Sequence, residues 1–279
     1  MLDNSCYFGF GWVSHLKVAL VMIPVRGYKN CFVGVLGLGR AGLATCKALR
    51  MGEANPICWD DSEEACDKAK QEGFVIKNLN DRDTLLKLSA LIVAPGIPNL
   101  YPEPHPVVKK AMQNGIIVDN EIGLFFRSFA TESWSSFDIM PKVICVTGSN
   151  GKSTTTALLG HILDKNNFSV ELGGNFGNAA LSLTPGKDAD IKILEISSFQ
   201  SEVARALQPD IAVLLNLSLD HTSRHGGKGG YFAAKSRLFT MGGPDKSVIG
   251  VDEDEGLYLA NRMREEITTA DPVITFSIK

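Results

Sequence analysis

Along the chain, short apolar runs alternate with segments whose apolar residues recur every three or four positions. Short runs bounded by glycine, proline or polar residues predict buried strands, and the longer spacing predicts helices. The predicted strands are residues 31–36, 56–59, 90–94, 116–118, 142–146, 168–172, 191–196, 211–217, 247–251 and 273–276. The predicted helices are residues 43–50, 62–72, a segment through 112, 153–166, 199–207 and 230–241. This alternation predicts an α/β fold with a doubly wound parallel sheet.

Two α/β units are expected, because the pattern restarts at Lys142 after an aromatic-rich segment, residues 120–141, that we interpret as crossing between them. We expect residues 22–130 to form a Rossmann-like domain and residues 131–279 a central P-loop domain. Residues 1–21 are interpreted as an extension or a mis-assigned start, since they make a poor signal peptide and Met22 directly precedes the patterned region. A short N-terminal strand is the alternative.

Composition narrows the class of protein. The 279 residues are 44% hydrophobic and 21% charged, which is typical of a soluble globular protein. A formal net charge of −3 gives no electrostatic reason to expect nucleic acid or an anionic membrane as a partner. The six cysteines form no C-x-x-C pair, and no apolar run has the length of a membrane span. A reduced, cytoplasmic protein is expected.

The most informative motif follows the strand at 142–146. Residues 147–153 read Thr-Gly-Ser-Asn-Gly-Lys-Ser and lead into a predicted helix. A glycine loop between a strand and a helix N-terminus directs several N–H groups and a positive dipole end at one point, which favours phosphate. Lys152 then suits the outer phosphates and Ser153 suits Mg²⁺. An ordinary turn explains the glycines but not Lys-Ser at the first helical turn.

A second glycine loop lies near the start of the chain. Residues 37–42 read G-x-G-x-x-G after a predicted strand, and Asp60 follows about twenty residues later. Such a loop lets the backbone approach a pyrophosphate, and the acidic residue suits a ribose. Alone, it indicates an NAD-dependent oxidoreductase. Together with the separate ATP-type loop, it favours a ligase or kinase.

Three polar groups stand at predicted strand ends in the second unit: Glu195, Asn175 and the pair Asp220-His221. The carboxyl ends of parallel strands are where α/β enzymes place their active sites. Each residue also has an ordinary interpretation, namely a helix cap, a left-handed turn and a surface histidine. Their common placement favours a site for Mg²⁺ and phosphate. Lys235 lies in a predicted helix, and its residue type alone predicts a solvated surface group.

Taken together, the motifs resemble the Mur ligases of peptidoglycan synthesis, and most closely the branch that adds D-glutamate. The resemblance runs from Met22 to the last residue. It is carried by M-I-P-V from Met22, G-L-G from Gly37, A-P-G-I-P from Ala94, T-G-S-N-G-K-S from Thr147, G-G-N from Gly173, E-I-S-S-F-Q from Glu195, N-L-S-L-D-H from Asn216 and A-A-K from Ala233.

The resemblance implies an ATP-dependent amide-bond ligase. The carboxylate of UDP-N-acetylmuramoyl-L-alanine would attack the γ-phosphate of ATP, and the amine of D-glutamate would then displace phosphate from the acyl phosphate. The implied catalytic residues are Lys152, Glu195, His221 and Lys235. Two Mg²⁺ ions are implied, held by Ser153, Glu195, His221 and Lys235, the lysine as its carbamate. A monomer is expected.

The remaining implied contacts bind nucleotide and substrate. ATP would lie on Gly148, Ser149, Asn150, Gly151, Lys152, Ser153 and Thr154. The UDP group would contact Leu38, Arg40, Asp60 and Asp61, and the muramoyl part would contact Asn175 and Ser197.

The length of the chain affects the activity that the resemblance implies. Mur ligases carry a third, C-terminal domain that closes over ATP, so the resemblance predicts a C-terminally truncated form with impaired turnover. A non-catalytic module that binds a UDP-sugar or nucleotide is one alternative. Folylpolyglutamate synthase is another relative, although it lacks the UDP-binding domain expected here.

Overall fold

The computed structural model describes residues 22–129, 137–218, 220, 222–241, 243–265 and 272–279. The described chain forms two parallel sheets flanked by helices, which confirms the α/β class. Residues 1–21 lie outside the described part, and the boundaries of the two expected domains stay predictions. None of the described helices has the length and apolar character needed to cross a membrane.

The first sheet has five strands in the order β3-β2-β1-β4-β5. Its strands are β1 (Phe32–Leu36), β2 (Asn55–Trp59), β3 (Val75–Ile76), β4 (Ala90–Val93) and β5 (Ile117–Asp119), and its helices are α1 (Arg40–Met51), α2 (Glu63–Gln71), α3 (Arg82–Leu85), α4 (Pro106–Gln113) and α5 (Glu121–Phe129). The strand order reverses between β1 and β4. A parallel sheet leaves a crevice at the carboxyl ends of such a pair, and the glycine loop at 37–42 lies there.

The second sheet has six strands in the order β11-β10-β9-β6-β8-β7. The strands are β6 (Lys142–Thr147), β7 (Val170–Gly174), β8 (Ile191–Glu195), β9 (Ile211–Leu214), β10 (Lys246–Gly250) and β11 (Val273–Phe276). The helices are α6 (Lys152–Lys165), α7 (Ser198–Val203), α8 (Lys228–Thr240) and α9 (Asp254–Glu265), with short 3-10 helices at Ala180–Ser182 and Thr222–His225. Because β6 lies between β8 and β9, the loops after these three strands meet at one edge.

The structure corrects several elements of the sequence-based assignment. Helix α5 occupies the first part of the segment that we interpreted as a crossing between units. Eight of its nine residues are buried, so it lacks the polar face that marks a surface helix. Elements β3, α3 and α9 were also not predicted. Strand β9 ends at Leu214 rather than at residue 217, since the following residues turn to hold the loop after β6.

Helix α7 is also shorter than predicted and ends at Val203 rather than at residue 207. The guanidinium of Arg237 donates to the carbonyls of Ser201 and Ala204, at 2.7 and 2.6 Å. Carbonyls at a helix end need outside donors, and this arginine supplies them from α8. A long-range contact of this kind leaves no local signal in the sequence.

Helix α5 connects the two sheets. It packs against the 3-10 helix Ala180–Ser182 and against α7. The backbone N–H of Ile23 donates to the carbonyl of Leu181 at 3.1 Å, which joins the same two regions. The largest cluster of buried apolar residues runs through both halves of the chain, and two smaller clusters accompany it. The two glycine loops are therefore held on a common core.

Candidate nucleotide and substrate site

The loop between β6 and α6 has the backbone conformation that its glycines permit. Gly148 has φ of 152° and Gly151 has φ of 79°, a region that side chains with a Cβ rarely adopt. A Cβ on Gly148 would lie 3.0 Å from the Cβ of Leu215. Helix α6 begins at Lys152, so the backbone N–H groups of its first turn point toward the loop. Thr154 lies exposed in that first turn.

The segment after β9 holds this loop in place. The backbone N–H of Asn150 donates to the Asn216 side chain at 2.9 Å, and the Asn216 amide donates back to the Asn150 carbonyl at 3.2 Å. The Ser149 hydroxyl bonds the backbone of Ser218 and lies 3.0 Å from the Tyr231 hydroxyl. We assigned no role to Asn216, Ser218 or Tyr231 from sequence. The signal was the change from apolar to polar residues at the end of β9.

Lys152 folds back onto its own loop. Its Nζ donates to the carbonyl of Ser149 at 2.8 Å. The side chain is half-buried. Phosphate oxygens bound on the loop would compete with the Ser149 carbonyl for the hydrogen bond from its Nζ. An ionised partner makes the stronger hydrogen bond, and the lysine needs only a change of rotamer to reach it.

Glu195, at the end of β8, joins two other predicted site residues. Its carboxylate accepts from the Ser153 hydroxyl at 2.6 Å and from the Asn175 amide at 2.8 Å. The residue is 1% exposed. A Cβ on Gly174 would lie 2.3 Å from the Glu195 carbonyl, so glycine there allows β7 and β8 to approach. Three side chains predicted from separate motifs thus meet at the mouth of the loop.

Lys235 is buried, contrary to the solvated position expected from its chemistry alone. It is 1% exposed, and its Nζ donates to the carbonyl of Gly148 at 2.8 Å. Burial, helped by the positive charge of Lys152, lowers the pKa of Lys235 to about 7, although Asp220 and Glu195 oppose the shift. A helical lysine beneath the phosphate loop is therefore uncharged in a large fraction of molecules at neutral pH.

Ser197 and His221 complete the predicted set. Ser197 is the N-cap of α7 and forms a capping box, in which its hydroxyl accepts from the Gln200 N–H and donates to the Gln200 side chain. His221 lies outside the described residues. Among the described residues, no three His, Cys, Asp or Glu side chains come together as a metal-binding group.

The glycine loop of the first sheet is closed by Asp60. Its carboxylate accepts from the backbone N–H of Leu38 at 2.6 Å and from that of Ser62 at 2.8 Å. Asp61 lies beside it and pairs with His105 at 3.0 Å. Both Asp60 oxygens therefore already have backbone donors, and the residue ties the end of β2 to the start of α1.

Arg40 links the first glycine loop to the loop after β7, which the sequence did not predict. Its guanidinium donates to the carbonyl of Asn175 at 2.9 Å and also contacts the carbonyl of Gly177. Asn175 in turn holds Glu195. One exposed cation of the first sheet is thus connected, through two hydrogen bonds, to the carboxylate beside the phosphate loop.

Comparison with known proteins identifies the family. Residues 146–279 match the family model described as the Mur ligase middle domain, and the chain is similar to curated members over most of its length. The chain belongs to the Mur ligase family. The resemblance seen in the motifs is therefore confirmed, and the reading of G-x-G-x-x-G as the mark of an NAD-dependent oxidoreductase is replaced by membership in a ligase family.

Several curated relatives carry the name UDP-N-acetylmuramoylalanine–D-glutamate ligase. The protein of Dinoroseobacter shibae is 58% identical over 87% of this chain and 52% of its own length. That of Ruegeria pomeroyi is 57% identical over 88% of this chain and 52% of its own length. The Mur ligase chain thus spans about half the length of the curated relatives it matches.

Two solved structures are more distant. A UDP-N-acetylmuramoyl-L-alanyl-D-glutamate–2,6-diaminopimelate ligase has a TM-score of 0.47 at 22% identity, over 62% of this chain and 42% of that one. The MurF ligase of Thermotoga maritima in complex with ADP has a TM-score of 0.41 at 17% identity, over 92% of this chain and 50% of that one. These likenesses are too remote to bear on the site.

Proposed function

We propose that this chain carries the ATP and UDP-substrate sites of an ATP-dependent ligase that adds D-glutamate to UDP-N-acetylmuramoyl-L-alanine in peptidoglycan synthesis. The names of relatives at 52–58% identity support the reaction. The observation that carries the proposal is the meeting of the phosphate loop, Glu195 and Lys235 at one edge of the second sheet. We further propose that the protein acts as a monomer in the cytoplasm.

In the proposed nucleotide complex, the N–H groups of residues 148–154 surround the phosphates. Lys152 exchanges the Ser149 carbonyl for the outer phosphates, which places a positive charge where negative charge develops. The carboxylate of the muramoyl substrate attacks the γ-phosphorus, the bond to the β-γ bridging oxygen breaks, and ADP leaves. The amine of D-glutamate then attacks the acyl carbon and loses a proton, and phosphate departs as the amide forms.

The residues present fit one Mg²⁺ ion. Ser153 and Glu195 offer a hydroxyl and a carboxylate oxygen 2.6 Å apart at the loop, and Mg²⁺ prefers few protein oxygens together with phosphate. When bound, the ion would neutralise charge on the transferred phosphoryl group. Asn175 orients the Glu195 carboxylate through its amide, and we assign it this role along with its contact to substrate.

A second metal position depends on Lys235 and His221. The charged ammonium form of Lys235, which already lies near the positive charge of Lys152, cannot bind Mg²⁺. The amine must therefore lose its positive charge before it can contribute a metal ligand. With a pKa near 7, the neutral amine of Lys235 can attack the carbon of CO₂ and lose a proton, which yields a carbamate anion. The conversion exchanges a positive charge for an oxygen ligand. We propose this carbamate for Lys235.

For the UDP group, we propose that Arg40 contacts the diphosphate and that Leu38 packs against the UDP group. Asp60 holds the loop, because its two oxygens are already bonded to backbone N–H groups. The exposed Asp61, which pairs with His105, would contact the nucleoside. Ser197, as the cap of α7, aligns the start of that helix beside the muramoyl chain.

The first test is ATP binding by titration calorimetry with the Lys152→Ala variant. Loss of a charge-assisted contact costs about 1.5–3 kcal/mol, so affinity should fall about tenfold to a hundredfold. Lys165→Ala, in the last turn of the same helix, is the control and should bind as the parent does. Equal affinity in all three proteins would refute the phosphate-loop assignment.

The second test is release of ADP from ATP, Mg²⁺ and UDP-N-acetylmuramoyl-L-alanine, with and without D-glutamate. Release that requires D-glutamate supports the ligase reaction. Binding of ATP and of the UDP substrate without any release, by a sample with a cooperative melting transition, would instead support a non-catalytic binding module.

A further inference from the structure

A cavity of about 610 Å³ lies away from both glycine loops. It is formed by the turn between α4 and β5, by the C-terminal end of α7 and by α8, so it lies at the other end of α7 from Ser197. Small-molecule pockets in proteins are typically about 300–1,000 Å³ and mostly apolar, with a few placed polar groups. The cavity has this size and this composition.

The apolar wall includes two large side chains left in contact with solvent. Leu100 is 49% exposed and Met112 is 45% exposed. Both line the cavity, as do Val203 and Met241. Covering such side chains with an apolar ligand is favourable by roughly 25 cal/mol for each Å² removed from water.

Two guanidinium groups also line the cavity. Arg205 is exposed, and its side chain makes no hydrogen bond or salt bridge with any residue that the structure describes. Arg237 uses Nε and Nη2 on the carbonyls of α7, and its Nη1 has no partner within the described part of the chain. Burial lowers the pKa of Arg237, and the nearby charge of Arg205 adds to this effect, although the charges of Glu202 and Asp119 oppose it.

Glu202 also lines the cavity, and its carboxylate lies 2.9 Å from the ring of His225. Its single negative charge offsets only one of the two guanidinium charges, so one positive charge remains in excess. Two like charges held together beside an apolar space are stabilised by an anion placed between them. Free guanidinium N–H groups also match the oxygens of carboxylates, phosphates and sulfonates.

We propose that this cavity binds a small organic anion with an apolar body. The body would cover Leu100 and Met112, and the anionic group would bind Arg205 and the free Nη1 of Arg237. Nothing in the proposed ligase reaction uses this cavity, and it lies outside the loops expected to hold ATP and the UDP group. The site is therefore additional to the catalytic one.

The test uses the fluorescent probe 1-anilinonaphthalene-8-sulfonate, with ATP and UDP present in excess to occupy the glycine loops. One saturable site is expected. Arg205→Ala should weaken binding about tenfold or more, the loss of one charge-assisted contact. Leu100→Asp should weaken it further than Leu100→Asn, because only aspartate adds a repelling charge. Arg82→Ala, on a distant exposed arginine, should leave affinity unchanged.

A neutral probe separates charge from apolar contact. N-phenyl-1-naphthylamine has the same aromatic body without the sulfonate, so it should bind more weakly and with equal affinity to the parent and to Arg205→Ala. The absence of saturable sulfonate binding would overturn the proposal. So would equal affinity of the parent and Arg205→Ala for the sulfonate, since the arginine would then have no part in binding.

Discussion

Glu121 gives a prediction about stability that depends on pH. It begins α5, directly after β5, and is 3% exposed. One carboxylate oxygen accepts from the backbone N–H of Leu181 at 3.0 Å, which joins α5 to the second half of the chain. The other oxygen is buried and has no hydrogen-bond partner within the described residues. Burial raises the pKa of Glu121 to about 7, although the backbone of Leu181 and Ala180 and the charge of Arg40 oppose the shift.

The sign and size of the effect follow from the two states. In the unfolded chain the carboxyl has its ordinary pKa of 4.5, and in the folded protein about 7. The folded state holds the proton more tightly, so the contribution to stability is present below pH 4.5 and is lost as the pH rises through 7. The difference between these pKa values corresponds to about 3 kcal/mol, most of which falls between pH 5 and pH 8.

Glu121→Gln removes the titration and keeps an oxygen for the Leu181 N–H. Relative to this variant, the parent should lose about 2–3 kcal/mol of unfolding free energy between pH 5 and pH 8. Urea unfolding followed by circular dichroism at four pH values measures the difference. Glu103→Gln, on an exposed carboxyl of the same half, is the control and should follow the parent. A parent-to-Glu121→Gln difference that stays constant with pH would refute the reasoning.

Three further predictions concern the core of the site. Gly174→Ala should lower the melting temperature and weaken Mg²⁺-dependent ATP binding, because a Cβ would lie 2.3 Å from the Glu195 carbonyl; a normal melt would contradict this. Asn216→Ala should weaken ATP binding about tenfold by freeing the loop at Asn150, measured by calorimetry against Asn166→Ala. Lys192→Ala should cost up to about 3–5 kcal/mol in urea unfolding, since the buried lysine pairs with the buried Asp190 and with the partly exposed Glu171. If the Lys192→Ala variant unfolds at the same urea concentration as the parent, these ion pairs do not stabilise the protein.

Most strands were predictable because each is an apolar run bounded by residues that break it. The strand at Val273–Phe276 was predicted with its observed bounds, and β6 differs by one residue at its end. Helix α5 was missed for the opposite reason. It is buried almost all round between the two halves of the chain, so its sequence has no polar face, and periodicity carries no information where every side of a helix meets other protein.

Helix length was overestimated where the end is set from elsewhere in the chain. The pattern of residues 199–207 continues past Val203, yet α7 stops there because Arg237 satisfies its last carbonyls. The same applies to the end of β9, where Leu215 and Leu217 extend the apolar pattern although the backbone of residues 215–216 serves the phosphate loop. The local sequence indicates which helix or strand a segment can form, whereas contacts with residues distant in the chain determine where that helix or strand ends.

In the candidate site, too, some contacts could be predicted from local sequence and others depend on residues distant in the chain. Ser153, Glu195 and Asn175 each follow a strand, and parallel strands bring such positions together, so their meeting could be anticipated from topology. Lys235 and Arg40 both lie in helices, where charged residues usually face water. Lys235 lies beneath the loop only because α8 crosses behind Gly148, and Arg40 reaches Asn175 only because α5 fixes the two sheets to one core. The spacing of motifs along the sequence predicts neither contact. Lys235 was therefore identified only through the family resemblance, and the contact between Arg40 and Asn175 could be seen only in the structure.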